Sequence, residues 1–260
     1  MKRKYKLNEK IFDTLTDDGA YWIGFLYGDG NCTTENKIRL SLSNTDYQQL
    51  IRFRNYIGND SRPIKQFQSC GKPQCGFEFR SWHMHNALSK YDLTKRKENR
   101  GRLHIDLLQD QVVRHFVRGL FDADGSFYFD GRNKEALFSE ITGHMAVLKD
   151  IKNILVRFNV ISDKKKIVKN GSVFRIRMAK ADTINLIKFM YADSPRYFLS
   201  RKYSLAKSYL DRLSDTTSKD EAIVEKYYRP MSEYNVGKRQ EHEDRQYFQQ
   251  PASTGECSCK

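Results

Sequence analysis

Two stretches of the chain repeat one pattern of apolar and small side chains. Residues 21–31 read YWIGFLYGDGN, and residues 115–125 read HFVRGLFDADG. Each pattern predicts a largely apolar helix that ends at an acid, Asp29 in the first copy and Asp124 in the second. An acid is unfavourable at a helix C-terminus, where the helix dipole is negative. We therefore expect a compensating cation close to these helix ends.

A glycine follows each acid, as is common just beyond the end of a helix. Glycine at such a position often adopts the left-handed conformation, which the Cβ atom makes costly for other residues. We therefore expect Gly30 and Gly125 to be left-handed helix caps.

The segments after each apolar helix also correspond. Alternating strand-like residues come first, then a helical segment with apolar residues three and four apart, then further strands and a last helical stretch. In the first half these segments are 36–44, 45–58, 63–67, 76–82 and 84–93, and in the second half 127–132, 136–143, 144–160, 165–178 and 181–192. The order helix, strands, helix, strands, helix therefore occurs twice, which predicts an α+β protein built from a duplicated unit.

The duplication divides the chain of 260 residues into a first half, 1–100, a second half, 101–213, and a tail, 214–260. The tail is polar, of mixed charge and poor in aliphatic residues, so we expect it to be partly disordered. The chain holds five cysteines, and no apolar run approaches about 18 residues. These features predict no membrane partner and a reducing compartment: the cytoplasm of a bacterial or phage host, or the interior of an organelle.

The net charge of +14 indicates a polyanionic partner. The tail holds seven basic and nine acidic residues, so residues 1–213 alone carry a net charge of +16. The positive field therefore belongs to the predicted folded body. Nucleic acid is the simplest partner for such a field, although a basic soluble protein without one has the same composition.

Small residues four apart occur in both apolar helices, and this spacing lets two helices approach closely. They are Gly24 and Gly28 in the first helix, and Gly119 and Ala123 in the second. Packing of the two helices would bring Asp29 and Asp124 side by side, where double ionisation is unfavourable without a cation. Carboxylate, carbonyl and water oxygens are ligands suited to Mg²⁺, with Mn²⁺ as a substitute. Beside a polyanion, this arrangement predicts hydrolysis of phosphodiester bonds.

Two strand-like segments alternate strictly and carry polar side chains on one face. In residues 37–43 the apolar residues are Ile38, Leu40 and Leu42, and the opposite face holds Lys37, Arg39, Ser41 and Ser43. In residues 173–178, Arg175 and Arg177 share the face opposite the apolar residues. An arginine at such a position can pair with guanine in the major groove. A half-solvated sheet without a partner shows the same alternation, and the charge of the body favours a nucleic-acid surface.

The chain resembles the LAGLIDADG homing endonucleases of the single-chain, two-motif type. The motif copies are WIGFLYGDG at 22–30 and VRGLFDADG at 117–125, and the resemblance covers roughly residues 15–212. The first copy departs from the second by having Tyr27 at the position of Asp122, which we expect to be structural. The resemblance implies a pseudosymmetric αββαββα monomer. Its motif helices would form the central interface, and its antiparallel, saddle-shaped sheets would straddle a long asymmetric DNA site.

The resemblance also implies the site residues. Asp29 and Asp124 would bind Mg²⁺ with the carbonyl groups of Gly28 and Ala123 nearby, and the product would be a staggered double-strand break. Lys97 and Lys202 are the candidate basic residues, either catalytic or in contact with the phosphate backbone. Further DNA contacts are expected at Tyr128, Asp130, Arg132, Glu140 and Thr142, and the predicted surface also includes Arg80 and Lys169.

Three functions are compatible with these features. The first is a site-specific, divalent-metal-dependent endonuclease that acts on double-stranded DNA. The second is an RNA maturase that assists the splicing of its host intron, since the same basic surface could bind intron RNA. The third is a DNA-binding regulator without catalytic activity. The presence of both acids argues against the regulator, because acids beside DNA phosphates are costly without a metal ion.

Overall fold

The computed structural model describes residues 5–34, 36–95, 108–129, 135–192 and 194–217. These residues all belong to one structural unit that spans residues 1–227. The disorder expected of the tail falls outside the described residues, apart from its first four positions. Those four positions end a helix, so the predicted end of the second half at residue 213 lies inside a helix.

The first half has the predicted order of helices and strands. Its elements are α1 (Asp17–Asp29), β1 (Gly30–Thr34), β2 (Lys37–Ser43), a 3₁₀ turn (Asn44–Asp46), α2 (Tyr47–Tyr56), β3 (Lys65–Ser69), β4 (Lys72–Arg80) and α3 (Trp82–Ser89). Its four strands form an antiparallel sheet in the order β1-β2-β4-β3.

The second half repeats this order and adds a helix. Its elements are α4 (Asp110–Asp124), β5 (Gly125–Phe129), β6 (Leu137–Gly143), α5 (Met145–Arg157), β7 (Ile167–Asn170), β8 (Val173–Met178), α6 (Lys180–Tyr191) and α7 (Ser200–Thr217). The sheet order, β5-β6-β8-β7, matches that of the first sheet strand for strand. The predicted α+β fold of two αββαββα units is confirmed.

Helix α1 begins and ends where its sequence directs it to. The hydroxyl group of Thr16 accepts a hydrogen bond of 3.0 Å from the Gly19 amide, and two acids occupy the first turn. Both features stabilise a helix N-terminus. The helix is then buried on all sides from Gly19 to Gly28. A helix that is apolar all round belongs in the centre of the molecule, which is where α1 lies.

Helices α1 and α4 pack backbone against backbone. A Cβ atom added to Gly24 would overlap the Phe116 carbonyl group, and one added to Gly119 would overlap the Tyr21 carbonyl group. A Cβ atom on Gly28 would likewise overlap the methyl group of Ala123. The close helix contact predicted from the spacing of the small residues is confirmed.

Gly30 and Gly125 are the C-caps of α1 and α4, as expected, but their conformation is extended and not left-handed, so that part of the expectation is wrong. Gly30 has φ −79° and ψ 151°, and Gly125 has φ −96° and ψ 166°. What excludes a side chain here is space, since a Cβ atom would lie 2.5 Å from the Leu26 carbonyl oxygen at Gly30 and 2.6 Å from that of Phe121 at Gly125. Each chain therefore passes directly from its helix into the first strand of a sheet.

The core is largely one continuous cluster that joins both halves around the two central helices. Its largest fully buried side chains include Trp22, Phe53, Phe77, Phe116 and Phe121. Within the described ranges, every helix is too short or too polar to cross a bilayer.

Candidate active site and nucleic-acid interface

The two motif acids lie at adjacent helix ends. Asp29 is the last residue of α1 and Asp124 the last residue of α4. A Cβ atom placed on Gly28 would lie 3.1 Å from Oδ2 of Asp124, so this carboxylate group sits against the last turn of the other helix. The structure therefore brings together the four residues predicted to hold a metal ion: Gly28, Asp29, Ala123 and Asp124.

The chemistry of these groups fits Mg²⁺. Two carboxylate groups and the carbonyl groups of the last helical turns are all hard oxygen donors, which Mg²⁺ prefers. The last carbonyl groups of a helix have no intrahelical partner and are free to take others. Among the described residues, no cluster of three or more histidine, cysteine or acidic side chains offers another metal site. The β3–β4 hairpin holds two cysteines, of which Cys75 is buried in the core and Cys70 is exposed at the turn.

Thr142 supports the second acid through its backbone. Its hydroxyl group donates a hydrogen bond of 3.0 Å to the carbonyl oxygen of Asp124. Thr142 lies on β6 and was expected to contact DNA. In the structure it also fixes the junction between α4 and the adjoining sheet.

Lys202 closes the C-terminal end of α4. Its ammonium nitrogen donates to the carbonyl oxygens of Phe121 at 2.7 Å, Asp122 at 2.7 Å and Gly125 at 2.6 Å. An ammonium group has three N–H donors, so all three are used. Lys202, which was predicted as a catalytic or phosphate-contacting residue, therefore lies at this helix end and offsets part of its negative charge. Burial lowers its pKa to about 8, although the carboxylate groups of Asp122 and Asp29 oppose this shift.

The residue that distinguishes the second motif from the first, Asp122, is wholly buried. Its Oδ2 atom accepts hydrogen bonds from the Tyr21 hydroxyl group at 2.9 Å and the Leu199 amide at 2.7 Å. Burial raises the pKa of Asp122, and the nearby ammonium group of Lys202 opposes the shift. At the matching position of α1, Tyr27 instead packs edge to face against Phe116. The difference between the two motifs is therefore structural, as expected, and it involves residues of both halves.

The outer face of the first sheet carries the predicted polar side chains. Lys37, Arg39, Ser41 and Ser43 lie opposite the buried residues of β2. Arg80 on β4 pairs directly with Lys37. Glu78, which the sequence analysis did not include, binds Lys37 at 3.0 Å. The hydrogen bond from Lys37 lowers the pKa of Glu78. Glu78 could have been found as the strand neighbour two residues before Arg80.

The outer face of the second sheet holds two arginines in fixed positions. The guanidinium group of Arg177 lies over the rings of Tyr128, at 5.5 Å, and Phe138, at 5.0 Å. Arg175 forms an ion pair of 3.4 Å with Glu140. Five of the six predicted residues described on this sheet therefore share one face: Tyr128, Glu140, Thr142, Arg175 and Arg177. Phe138 lies on the same face and was missed by the sequence analysis.

Three predicted site residues lie outside the described residues: Lys97, Asp130 and Arg132. A fourth, Lys169, lies on the other face of the second sheet. Lys169 pairs with Phe174, so it projects to the face opposite Arg175 and Arg177. The structure does not bring Lys169 together with the arginines.

Comparison with known proteins supports the assignment that the fold and the paired acids suggest. Residues 111–190 match the family model of the LAGLIDADG-like domain, which begins in α4 and ends in α6. The Replication factor C small subunit of Methanocaldococcus jannaschii is 22% identical over 173 residues. That match covers 66% of this chain but only 9% of the length of that relative.

Solved structures match about four fifths of the chain. The LAGLIDADG homing endonuclease I-GzeII in complex with its DNA target gives a TM-score of 0.51 at 13% identity, over 80% of this chain and 93% of that one. I-SmaMI bound to cleaved DNA gives 0.50 at 12% identity, over 82% and 94%. The chain therefore has the LAGLIDADG homing endonuclease fold. The family model covers the second motif, residues 117–125, and the solved structures share the fold that the resemblance implied, so the resemblance is confirmed at that level.

Proposed function

We propose that this protein is a site-specific DNA endonuclease that makes a metal-dependent, staggered double-strand break at a long asymmetric target. The proposal rests on one observation: Asp29 and Asp124 lie at the adjoining C-terminal ends of α1 and α4. Placing two acids at negative helix ends is costly, and a bound cation offsets that cost.

Asp29 and Asp124 would hold Mg²⁺, with the carbonyl groups of Gly28 and Ala123 nearby. When bound, the metal ion supplies a polarised water molecule and stabilises the negative charge that develops on phosphate oxygens. The chain itself fixes the two carboxylate groups: the glycine contact between the helices sets their separation, and Lys202 and Thr142 hold the end of α4.

The two outer sheet faces supply the surface for double-stranded DNA. Their exposed or half-buried arginine, lysine and serine side chains match the acceptors of phosphates and base edges. The related fold in I-GzeII is in complex with its DNA target. Two pseudosymmetric sheets in one chain would read two different half-sites, so we propose a monomer acting on an asymmetric target.

The test is a cleavage selection. The protein is incubated in Mg²⁺ with a plasmid library of randomised inserts, and the cut ends are sequenced. Asp29→Asn and Asp124→Asn serve as inactive variants, and Asp110→Asn is the matched control. Asp110 lies at the opposite end of α4 and forms an exposed ion pair with Arg157 at 2.7 Å. Exposed ion pairs contribute little to stability, so this control should fold normally.

We expect a long consensus sequence cut on both strands by the wild type and by Asp110→Asn, and no cutting by the other two variants. Absence of Mg²⁺-dependent cutting by folded protein that binds duplex DNA would contradict the proposal. RNA binding and intron splicing would then be measured.

A further inference from the structure

The connection between α6 and α7, residues 194–199, belongs to the second half but docks on the first. The ring of Tyr197 lies 6.0 Å from that of Tyr21, 5.1 Å from that of Trp22 and 5.7 Å from that of Tyr56. These three residues all come from α1 and α2. Aromatic pairs at such distances stabilise a contact beyond the area they bury.

Helix α2 also holds the backbone of this connection. Arg52 donates a hydrogen bond of 2.8 Å to the carbonyl oxygen of Phe198, and its guanidinium group lies 5.5 Å from the Phe198 ring. Gln49 is 2% exposed and donates its amide hydrogen to the Tyr21 hydroxyl group. Two residues of one turn of α2 are therefore linked to the connection. Arg52 contacts it directly, and Gln49 is linked to it through Tyr21.

The link from Gln49 and Tyr21 continues through the buried Asp122. The Tyr21 hydroxyl group donates to Asp122, and Asp122 accepts the Leu199 amide on the same oxygen. Gln49, Tyr21 and Asp122 thus form a chain of hydrogen bonds that ends on the backbone of the connection. Among the described residues, Oδ1 of Asp122 is buried without a hydrogen-bond partner, so Oδ2 makes both contacts of this carboxyl group.

Arg118 of α4 completes the attachment from within the second half. It is 2% exposed and donates to the carbonyl oxygens of Tyr197 at 2.9 Å and Met190 at 2.8 Å. The backbone groups of three consecutive residues are therefore each held by a side chain: Tyr197 by Arg118, Phe198 by Arg52 and Leu199 by Asp122.

The fixed connection leads directly into the lysine at the active site. Helix α7 begins at Ser200, and the backbone amide of Lys202 donates to the Leu199 carbonyl oxygen at 3.0 Å. The ammonium group of Lys202 then closes the end of α4, beside Asp124. Displacement of the connection would displace this ammonium group as well.

We propose that Gln49 and Arg52, on α2 of the first half, are positioning residues for the metal-binding end of α4 in the second half. They act through the α6–α7 connection and Lys202, without touching substrate or metal. The proposal rests on the proposed endonuclease function where it is tested by DNA cleavage. Where it is tested by a structural measurement, it rests on the hydrogen-bond geometry alone.

The test compares three variants of α2. Arg52→Met keeps the length of the side chain and removes the hydrogen bond to Phe198, whereas Arg52→Lys keeps a cationic donor. Arg54→Met is the matched control, because Arg54 also lies on α2 and bonds a carbonyl group, that of Arg62, within the first half. Arg52→Met and Arg54→Met each remove one positive charge from α2, so a difference between the two variants does not come from the net charge of the protein.

The first readout is cleavage of the selected plasmid target under single-turnover conditions across a Mg²⁺ series. We expect Arg52→Met to raise the Mg²⁺ concentration for half-maximal rate by about tenfold, as substitutions behind a metal ligand typically do. DNA affinity should equal that of Arg54→Met, and Arg52→Lys should recover most of the loss. Equal Mg²⁺ dependence in Arg52→Met and Arg54→Met would overturn the proposal.

The second readout is hydrogen exchange, which needs no activity. In Arg52→Met we expect faster exchange both in residues 197–203 and at the end of α4, residues 119–126, relative to Arg54→Met. Faster exchange confined to residues 197–203 would overturn the proposal. If the wild type cuts no DNA, the proposed function fails by itself, and hydrogen exchange still decides whether α2 positions the end of α4.

Discussion

At the scale of single residues, the structure gives Lys202 a clear first task. A lysine with all three N–H groups on backbone carbonyl oxygens neutralises the negative end of α4. It can donate to a phosphate group only by releasing one of these oxygens. Its placement thus stabilises the end of α4 beside Asp124 before any chemistry takes place.

His115, on the buried side of α4, is a neutral histidine inside the fold. Arg118 donates to its Nδ1 atom at 2.9 Å, which requires that nitrogen to carry a lone pair. Burial first, and then the charges of Arg118 and Arg114, lower the pKa of His115 to about 3. The carboxylate group of Asp17, 3.7 Å from Nε2 and half exposed, does not offset these effects.

As the pH falls, His115 therefore binds a proton at a higher pH in the unfolded chain than in the folded chain. The contribution of His115 to the free energy of unfolding should be fully present above about pH 6.5. It should decline as the pH falls towards about 3, by up to about 1.4 kcal/mol per pH unit. Urea denaturation across this range should show a shallower decline in His115→Gln. An unchanged slope in His115→Gln would contradict the neutral assignment.

Some site residues could be predicted from sequence, and others could not. Asp29 and Asp124 stand out because an acid ends an apolar run, which is an anomaly within eleven residues of sequence. The roles of Asp122 and Arg118 depend on backbone groups more than 70 residues later in the chain. No local pattern contains those partners, so only the fold reveals them.

At the scale of elements, the contact between α1 and α4 sets the geometry of the site. The spacing of small residues predicted the contact, because only small side chains let helix backbones meet. The conformation of Gly30 and Gly125 was wrongly predicted, because the same residue type serves a left-handed turn and a close approach. Sequence alone does not distinguish these two needs.

Gly24→Ala should destabilise the protein by about 2 kcal/mol or more, because the added methyl group meets the Phe116 backbone, which cannot rotate away. Thermal denaturation measures the effect. Gly143→Ala is the control, since its Cβ atom would meet only Leu148 side-chain atoms at 3.7 Å or more. Equal stability of the two variants would mean that α1 and α4 are further apart than described.

The faces of the sheets were predicted well where strand alternation is continuous. In β2 the buried and exposed positions alternate as expected. Lys169 was misplaced because the face of β7 depends on its hairpin turn. The turn pairs Asn170 with Val173, which sets Lys169 opposite Phe174. A register defined by a turn needs the turn length, which the alternation does not contain.

At the scale of the whole molecule, the two halves are duplicated but not independent. The α6–α7 connection of the second half packs against α1 and α2 of the first. Arg201 adds a further link: its Nε atom donates to both carboxylate oxygens of Asp46, at 3.0 and 3.3 Å, and its Nη2 atom donates to Oδ2 at 3.1 Å. The repeat in the sequence predicted the two units, whereas this docking joins residues about 150 positions apart, which no local pattern reveals.

The charge of the body makes DNA affinity a property of the whole surface. If six or more phosphate groups are contacted, affinity should fall by at least about 10³-fold between 50 and 200 mM salt. Fluorescence anisotropy with the selected duplex, without divalent metal, measures this slope. Arg39→Met should lower the slope by about one, while Arg54→Met, away from the outer faces, should leave it unchanged. An affinity independent of salt would contradict the predicted surface.

The central claim is that Asp29 and Asp124 form one shared metal site. The most direct test is single-turnover cleavage of both strands of the selected target, in saturating Mg²⁺, by Asp29→Asn, Asp124→Asn and the double variant. We expect each single variant to lose at least about a hundredfold on both strands, because metal stabilisation is worth several kcal/mol. The double variant should be little slower, since groups that act as a unit are not additive. Normal cutting of one strand by either single variant would show two separate sites and contradict the account.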